Sequence, residues 1–327
     1  MIGRWPLMSA DEARSLAGTL LRDCRAGKMP GKPTAEKLPT LRQVLPKYAD
    51  AKGIKASSSA RYESILKVHF GAWQDCSLDQ LSSAAFSKHC HDFARNRGAA
   101  IVEVGRGLIG AIFRYVNAIH GLQLASPFDK LAAAGLMPNR AEPRERRLQV
   151  GQLVAWAVAT HRLPERQKDL LMLLALTGLR RNEGGMLRKS QVDIVGGVLR
   201  IPETKTGQPH SLPITPLMSE ILTRRCVGLM DDQRLFDGVS LDHLAEMAMR
   251  TGAPSFMLHD LRKLLATTGE QLGLSDAVLR RILNHKAKRS DTLHRHYVRL
   301  SVIDILVPLM AIQSKLMDQL AGTTKRN

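Results

Sequence analysis

Four short stretches in the second half of the chain carry residue types suited to attack on a phosphodiester. TGLRRNE at 177–183, ETKTG at 203–207, HDLR at 259–262 and LNH followed by HRHY at 283–297 supply Arg180, Lys205, His259, Arg262, His285 and Tyr297. A phenol titrates near about 10, so a tyrosine attacks poorly at neutral pH unless its surroundings help. Attack at phosphorus builds negative charge on the non-bridging oxygens, which permanently charged, forked guanidinium groups can match. Two arginines from separate segments fit that task, and a metal ion is not required for it.

Each of these residues also has an ordinary reading. Arg180 and Glu183 are three apart and share a face of a helical turn, so Glu183 can orient the guanidinium, yet the pair alone would pass for a surface ion pair. His259 and Arg262 have the same spacing and project from a helix N-terminus, where backbone N–H groups favour an anion; Asp260 is then a capping residue. His285 closes a short helix and could simply meet its last carbonyls, and Tyr297 could be an amphipathic core residue. A zinc site at His285, His294 and His296 lacks both an HExxH pattern and a carboxylate at ligand spacing. His89, Cys90 and His91 are neighbours on a helix and point in different directions, so they read as ordinary helix residues.

The elements that must hold the four stretches follow from periodicity. Residues 9–26 open with a Ser-x-x-Glu capping pattern and place Ala13, Leu16, Leu20, Leu21 and Cys24 at helical spacing. After the breaker-rich GKMPGKP at 27–33, the chain reads as helical from about 40 to 134, with Tyr62, Ile65, Leu66 and His69, then Ile109, Ile112, Phe113 and Val116, marking buried faces of a four-helix domain. MPNRAEPRERR at 137–147 combines prolines with a charge run and reads as a linker. Helices at 150–159 and 167–177 open a second domain, and the apolar run 170–176 is too short for a membrane span and suits a core helix. From 192 to 214 apolar and polar residues alternate around Gly-Gly and Thr-Gly turns, as in a small antiparallel meander with Lys205 at a hairpin tip. Helices then resume from about 216 to the end. The predicted fold is therefore mainly α with a small antiparallel β-meander.

Composition narrows the partner. The 327 residues suggest two domains with a terminal appendage, and 48 Lys+Arg against 30 Asp+Glu leave a formal net charge of +18. Such an excess implies a polyanion, with double-stranded DNA the leading candidate. Arg61, Lys67, Arg106 and Arg114 are candidate DNA contacts, beside Lys88, Arg95 and Arg97, although charges on helices are often merely solvated. The opening residues lack the pattern of an export signal and the four scattered cysteines form no CxxC pair, which points to a cytoplasmic protein without a disulfide framework or zinc ribbon.

The order TGLR, hairpin lysine, HxxR, Asn-His and Tyr resembles the tyrosine recombinase, or phage integrase, family. The resemblance is strong from 148 to 309 and looser from 40 to 134. It implies a helical core-binding domain at 37–136, the linker at 137–147, a mixed α+β catalytic domain at 148–310 and a tail at 311–327. Residues 1–36 include a helix similar to the end of an integrase arm-binding domain, which favours a mobile element. Carried over position by position, Arg180 and Arg262 bind phosphate, Lys205 is the strand-turn lysine, His259 and His285 are the two histidines, and Tyr297 is the nucleophile. Asn284 departs from the glycine usual before the second histidine. The implied activity is site-specific recombination through a 3′-phosphotyrosyl link, with no cofactor, in a homotetramer on DNA, and with accessory DNA-bending proteins as candidate partners. Two alternatives share these features: a monomeric topoisomerase, and a DNA-binding architectural or directionality factor with a vestigial site. The apolar tail, with Val302, Ile305, Leu306 and Leu309 at helical spacing, is expected either to reach a neighbouring protomer or to close on its own domain.

Overall fold

A computed structural model describes residues 9–26, 38–139, 148–204, 207–285 and 300–322, which fall into two compact units within Met1–Pro143 and Arg144–Asn327. Lys205, Tyr297, most of the 137–147 stretch and the breaker-rich segment after residue 26 lie outside the described residues.

The first unit begins with α1 (Ala10–Arg25), whose N-terminus is closed reciprocally: Glu12 N–H donates to Ser9 Oγ at 3.2 Å and Ser9 N–H to Glu12 Oε2 at 2.8 Å. None of its residues is buried. The remaining helices, α2 (Leu41–Ala51), α3 (Ala56–His69), α4 (Ala84–Asn96), α5 (Ala99–His120) and α6 (Pro127–Ala133), enclose one apolar core. Phe70 sits at its centre, with ring centroids 5.1 Å from Phe93, 6.2 Å from Phe86 and 6.4 Å from Phe128. The stripe expected on α5 is buried at Ile109, Ile112, Phe113 and Val116, whereas α3 fully buries only Leu66 of its expected four. Where the periodicity suggested four helices there is also a short fifth, α6. It starts at Pro127, whose fixed φ suits a first helical position, and it buries Phe128 and Leu131; seven residues are too few to show a period.

The second unit is built around α8 (Glu165–Thr177), in which Leu170, Leu171 and every residue from Leu173 to Thr177 are buried. The later turns of α8, apolar on every face, must be covered on all sides. Here α7 (Leu153–His161), α10 (Pro216–Cys226), α12 (Leu258–Gln271) and α14 (Leu306–Leu320) supply the cover. The charged residue buried on α8, Asp169, takes a forked pair of bonds from Arg224 of α10 at 2.7 and 3.1 Å. Between α9 (Arg181–Gly185) and α10 lie β1 (Val192–Asp193), β2 (Val198–Ile201) and β3 (His210–Pro213), an antiparallel sheet in sequence order with Leu199 opposite Leu212 and Ile201 opposite His210. The meander is thus present, and the unit is completed by α11 (Leu244–Arg250) and α13 (Asp276–Leu283).

The tail closes on its own unit. Ile305, Leu309, Ile312, Leu316 and Leu320 are buried, and α14 packs on α7, α8 and α12. Gln313 is the polar anchor of this docking: its Nε2 donates to the Leu176 carbonyl at 2.8 Å, and its Oε1 accepts from the Thr215 hydroxyl at 2.7 Å. The carbonyls in the last turn of a helix have no partner within it, so Gln313 satisfies one that burial would otherwise strand. Replacing Gln313 with Leu keeps the volume and leaves the Leu176 carbonyl and the Thr215 hydroxyl proton without a partner, which should cost about 2 kcal/mol in urea unfolding. An unchanged midpoint would show that the tail is not held through this residue.

Candidate active site

The site forms where three helix ends meet. At the C-terminus of α8, Gly178 takes the left-handed conformation (φ 63°) and stops the helix; a Cβ there would lie 2.8 Å from Leu283 Cδ2, so both its backbone and its packing require glycine. Two residues on, Arg180 caps α9. Glu183 accepts from the Arg180 backbone N–H at 3.0 Å and from its Nη1 at 2.8 Å, and is itself almost fully buried. Glu183 therefore orients the guanidinium as the spacing suggested, through a half capping box rather than a shared helical face.

At the start of α12, Asp260 accepts from the Met257 backbone N–H at 2.9 Å, the capping role expected of it. His259 is exposed, while Arg262 is 3% exposed and reaches inward. Its Nη1 donates to the Gly178 carbonyl at 2.7 Å and its Nη2 to the Leu283 carbonyl. Both acceptors belong to helix C-terminal turns, whose partial negative charge favours a cation. Burial, then the nearby Arg180, push the Arg262 pKa down to about 10, with Glu183 opposing; the group stays charged at neutral pH.

The third helix end is that of α13. Asn284 is left-handed (φ 48°, ψ 48°), a conformation open to Asn as well as Gly, and among the described residues it is the only non-glycine with positive φ. His285 N–H then closes the turn on the Arg280 carbonyl at 2.9 Å. Unlike glycine, Asn284 also has a side chain to use: its Nδ2 donates to the Gln208 carbonyl at 3.2 Å. Gln208 O also accepts from Thr204 Oγ1 at 2.7 Å, and Gly207 N–H closes on Thr204 O at 3.1 Å. The departure at Asn284 thus ties the helix end that carries His285 to the β2–β3 connection in which Lys205 lies.

Arg180, Arg262, His259 and His285 are close enough to act on one another. The pKa of His259 is lowered by the partial loss of solvent around its ring, then by Arg262 and Lys263, with a smaller push from Arg180; that of His285 is lowered by the same partial loss of solvent, then by Arg262 and Arg180. Both imidazoles are neutral at pH 7, so each can accept a proton or, through its other nitrogen, donate a hydrogen bond. Of the six residues singled out in the sequence, four are brought together here, and Lys205 and Tyr297 lie outside the described residues. Arg61, Lys67, Arg106 and Arg114 are all exposed on α3 and α5 of the first unit. Among the described residues there is no group of three His, Cys, Asp or Glu side chains placed to hold a metal. The His89–Cys90–His91 run is part of a helix in which His89 Nε2 meets the His69 carbonyl at 2.8 Å and Cys90 is buried, its thiol pushed up to about 12 by burial.

Two residues in this region were missed by motif reading. His210 opens β3 as an inward position of an alternating strand, which its neighbours Leu212 and Pro213 could have signalled, and it is buried beside Arg281 and Arg262. Arg281, on α13, looks like one more charge in a basic run.

Comparison with known proteins places this architecture. Residues 146–302, just under half of the chain, match the phage integrase family model. The tyrosine recombinase XerA of Saccharolobus solfataricus is 27% identical over 139 residues, covering 41% of this chain and 47% of that protein. The prophage integrase IntF of Escherichia coli K12 is 27% identical over 179 residues, covering 50% of this chain and 37% of that protein. The matched stretch therefore spans less than half the length of either curated relative. Among solved structures, a lambda integrase tetramer bound to a Holliday junction superposes with a TM-score of 0.62 at 19% identity, covering 89% of this chain and 91% of that one. The Tn1549 transposon integrase in complex with a circular intermediate DNA gives 0.58 at 15% identity, covering 83% and 99%. Residues 146–302 carry a domain of the tyrosine recombinase, or phage integrase, family.

His210 makes a pH prediction. Burial first, then Arg281 and Arg262, hold its pKa at about 4, with Glu183 and the Ile282 carbonyl pulling weakly the other way. The unfolded chain binds a proton near pH 6.5 that the folded chain refuses, so the contribution is intact above pH 6.5 and is lost as pH falls toward 4. The shift corresponds to about 3 kcal/mol. Urea midpoints measured from pH 7 to pH 4 should fall steeply for the wild type and less steeply for His210→Gln; parallel slopes would refute the assignment.

Proposed function

We propose that this protein is a site-specific DNA recombinase that cuts and rejoins DNA through a 3′-phosphotyrosyl intermediate. The observation that carries the reading is the convergence of Arg180, Arg262, His259 and His285 from three helix ends, in a domain of the tyrosine recombinase family. In this reaction the Tyr297 phenol oxygen forms a bond to the scissile phosphorus as the bond from phosphorus to the 5′-oxygen breaks. The phenolic proton passes to a neutral histidine, His259 or His285. Lys205 supplies the proton that the departing 5′-oxygen takes up. Arg180 and Arg262 offset the charge that develops on the non-bridging oxygens, and Glu183 keeps Arg180 aimed. One phosphoester replaces another, so no energy source is called for, and a 5′-hydroxyl from a second duplex reverses the attack to exchange strands.

Exchange between two duplexes calls for four protomers, and the DNA would be gripped by the helical unit as a core-binding domain, through Arg61, Lys67, Arg106 and Arg114, as well as by the catalytic unit. The net charge of +18 supports the polyanionic partner, and phosphate contacts make affinity fall steeply with salt. A mobile element, accessory DNA-bending proteins and a cytoplasmic location are part of this reading.

The test is a nicked suicide duplex incubated with protein in EDTA. Wild type should give a covalent protein–DNA band and Tyr297→Phe none, while Arg180→Ala should slow band formation by about 100-fold or more. Absence of a band with the wild type on DNA that it binds would leave a non-catalytic DNA-binding protein. Supercoil relaxation by monomers without strand exchange would indicate a topoisomerase.

A further inference from the structure

Arg281 lies in α13, four residues before His285, and is half-buried. Its guanidinium joins two segments that are far apart in the chain. Nε donates to the Leu300 carbonyl at 2.8 Å, and Nη1 donates to the Ser211 carbonyl of β3 at 2.9 Å. The segment so held is firmly built: Ser301 N–H and Oγ each lie 2.7 Å from Asp304 Oδ2, Asp304 attracts Arg281, and Ile305 is fully buried. Residues 303–305 pack on both β3 and α13.

Two consequences follow from covalent geometry. Tyr297 is three residues before Leu300, and three residues of chain span at most about 11 Å, so the Arg281–Leu300 bond limits how far the tyrosine backbone can stray from α13. Ser211 belongs to the strand that leads out of the β2–β3 connection carrying Lys205, and α13 ends two residues before His285. One side chain therefore joins the carriers of three of the six proposed catalytic groups. A surface arginine with no such task would leave both carbonyls to water, and a lysine has a single nitrogen where two separated acceptors must be met.

We propose that Arg281 is a positioning residue for the cleavage step, clamping the segment after the tyrosine nucleophile to β3 and to the helix end that carries His285. The inference rests on the recombinase reading of the site. Its action is through Leu300 and Ser211; it does not touch the reacting phosphate.

The test compares wild type, Arg281→Ala and Arg281→Lys in three measurements on the full chain: affinity for an uncleaved target duplex, the single-turnover rate of covalent complex formation on the nicked duplex at saturating protein, and amide exchange by mass spectrometry. Arg281→Ala should slow cleavage by about 100-fold while changing DNA affinity by no more than about twofold, because misplacing a nucleophile by an ångström acts on rate and not on binding. Arg281→Lys, which can keep one of the two bonds, should fall between. Exchange in Arg281→Ala should rise in the peptides covering 297–304 and 211–213 and stay unchanged in α8. Cleavage by Arg281→Ala at the wild-type rate would overturn the proposal and leave the recombinase reading intact. Equal losses of affinity and rate with exchange raised throughout the second unit would overturn it in favour of a general stabilising role. A wild type that binds the duplex and forms no covalent complex would sink the recombinase reading, and the role of Arg281 with it.

Discussion

The geometry of the site depends on a buried cation that, among the described residues, has no carboxylate directly bonded to it. Burying a guanidinium is costly unless its N–H groups find partners, and Arg262 finds them in the carbonyls of Gly178 and Leu283. Each closes a helix, so the charge sits against two converging negative dipole ends. Because α8 and α13 must bring those ends to one point, the arrangement holds the TGLR turn, the start of α12 and the Asn284–His285 corner in a single geometry. Gly178 serves the same arrangement: its left-handed backbone closes α8, and a Cβ there would crowd the Leu283 side chain.

Around that pin the electrostatics are arranged for an anion. Arg180 and Arg262 repel each other, and Glu183 offsets only part of this while holding Arg180 in place. Partial loss of solvent, and after it the same positive field, lower the pKa of His259 and His285. A negatively charged ligand would relieve the repulsion between the arginines. In the proposed reaction that ligand is the diester, and the charge it gains in the transition state is better matched by this field than the charge it starts with.

The segments that carry the remaining two catalytic candidates are tethered from their flanks. Asn284 reaches the β2–β3 connection through Gln208, and Arg281 reaches the chain just after the tyrosine through Leu300. Beyond that point the tail is docked by Gln313 and a buried stripe on its own unit.

Much of this was legible in the chain. The Ser9–Glu12 cap, the α5 stripe, the apolar run in α8 and the alternation of the meander are local patterns, and local patterns are written in sequence. So was the set of candidate residues, because the order of Arg180, His259, Arg262 and His285 is a property of the chain. What distance along the chain cannot show is which atoms end up together. His259 and Arg262 share a spacing but diverge, one exposed and one buried, because only the packing of α8 and α13 creates the carbonyl pair that draws Arg262 inward. No motif in the sequence singles out Arg281, His210 or Gln313. Their partners lie 19 to 137 positions away, so their roles arise only once the core has closed. The sequence determined the elements and the chemical inventory, and tertiary packing decided which polar groups would be buried and therefore had to find one another.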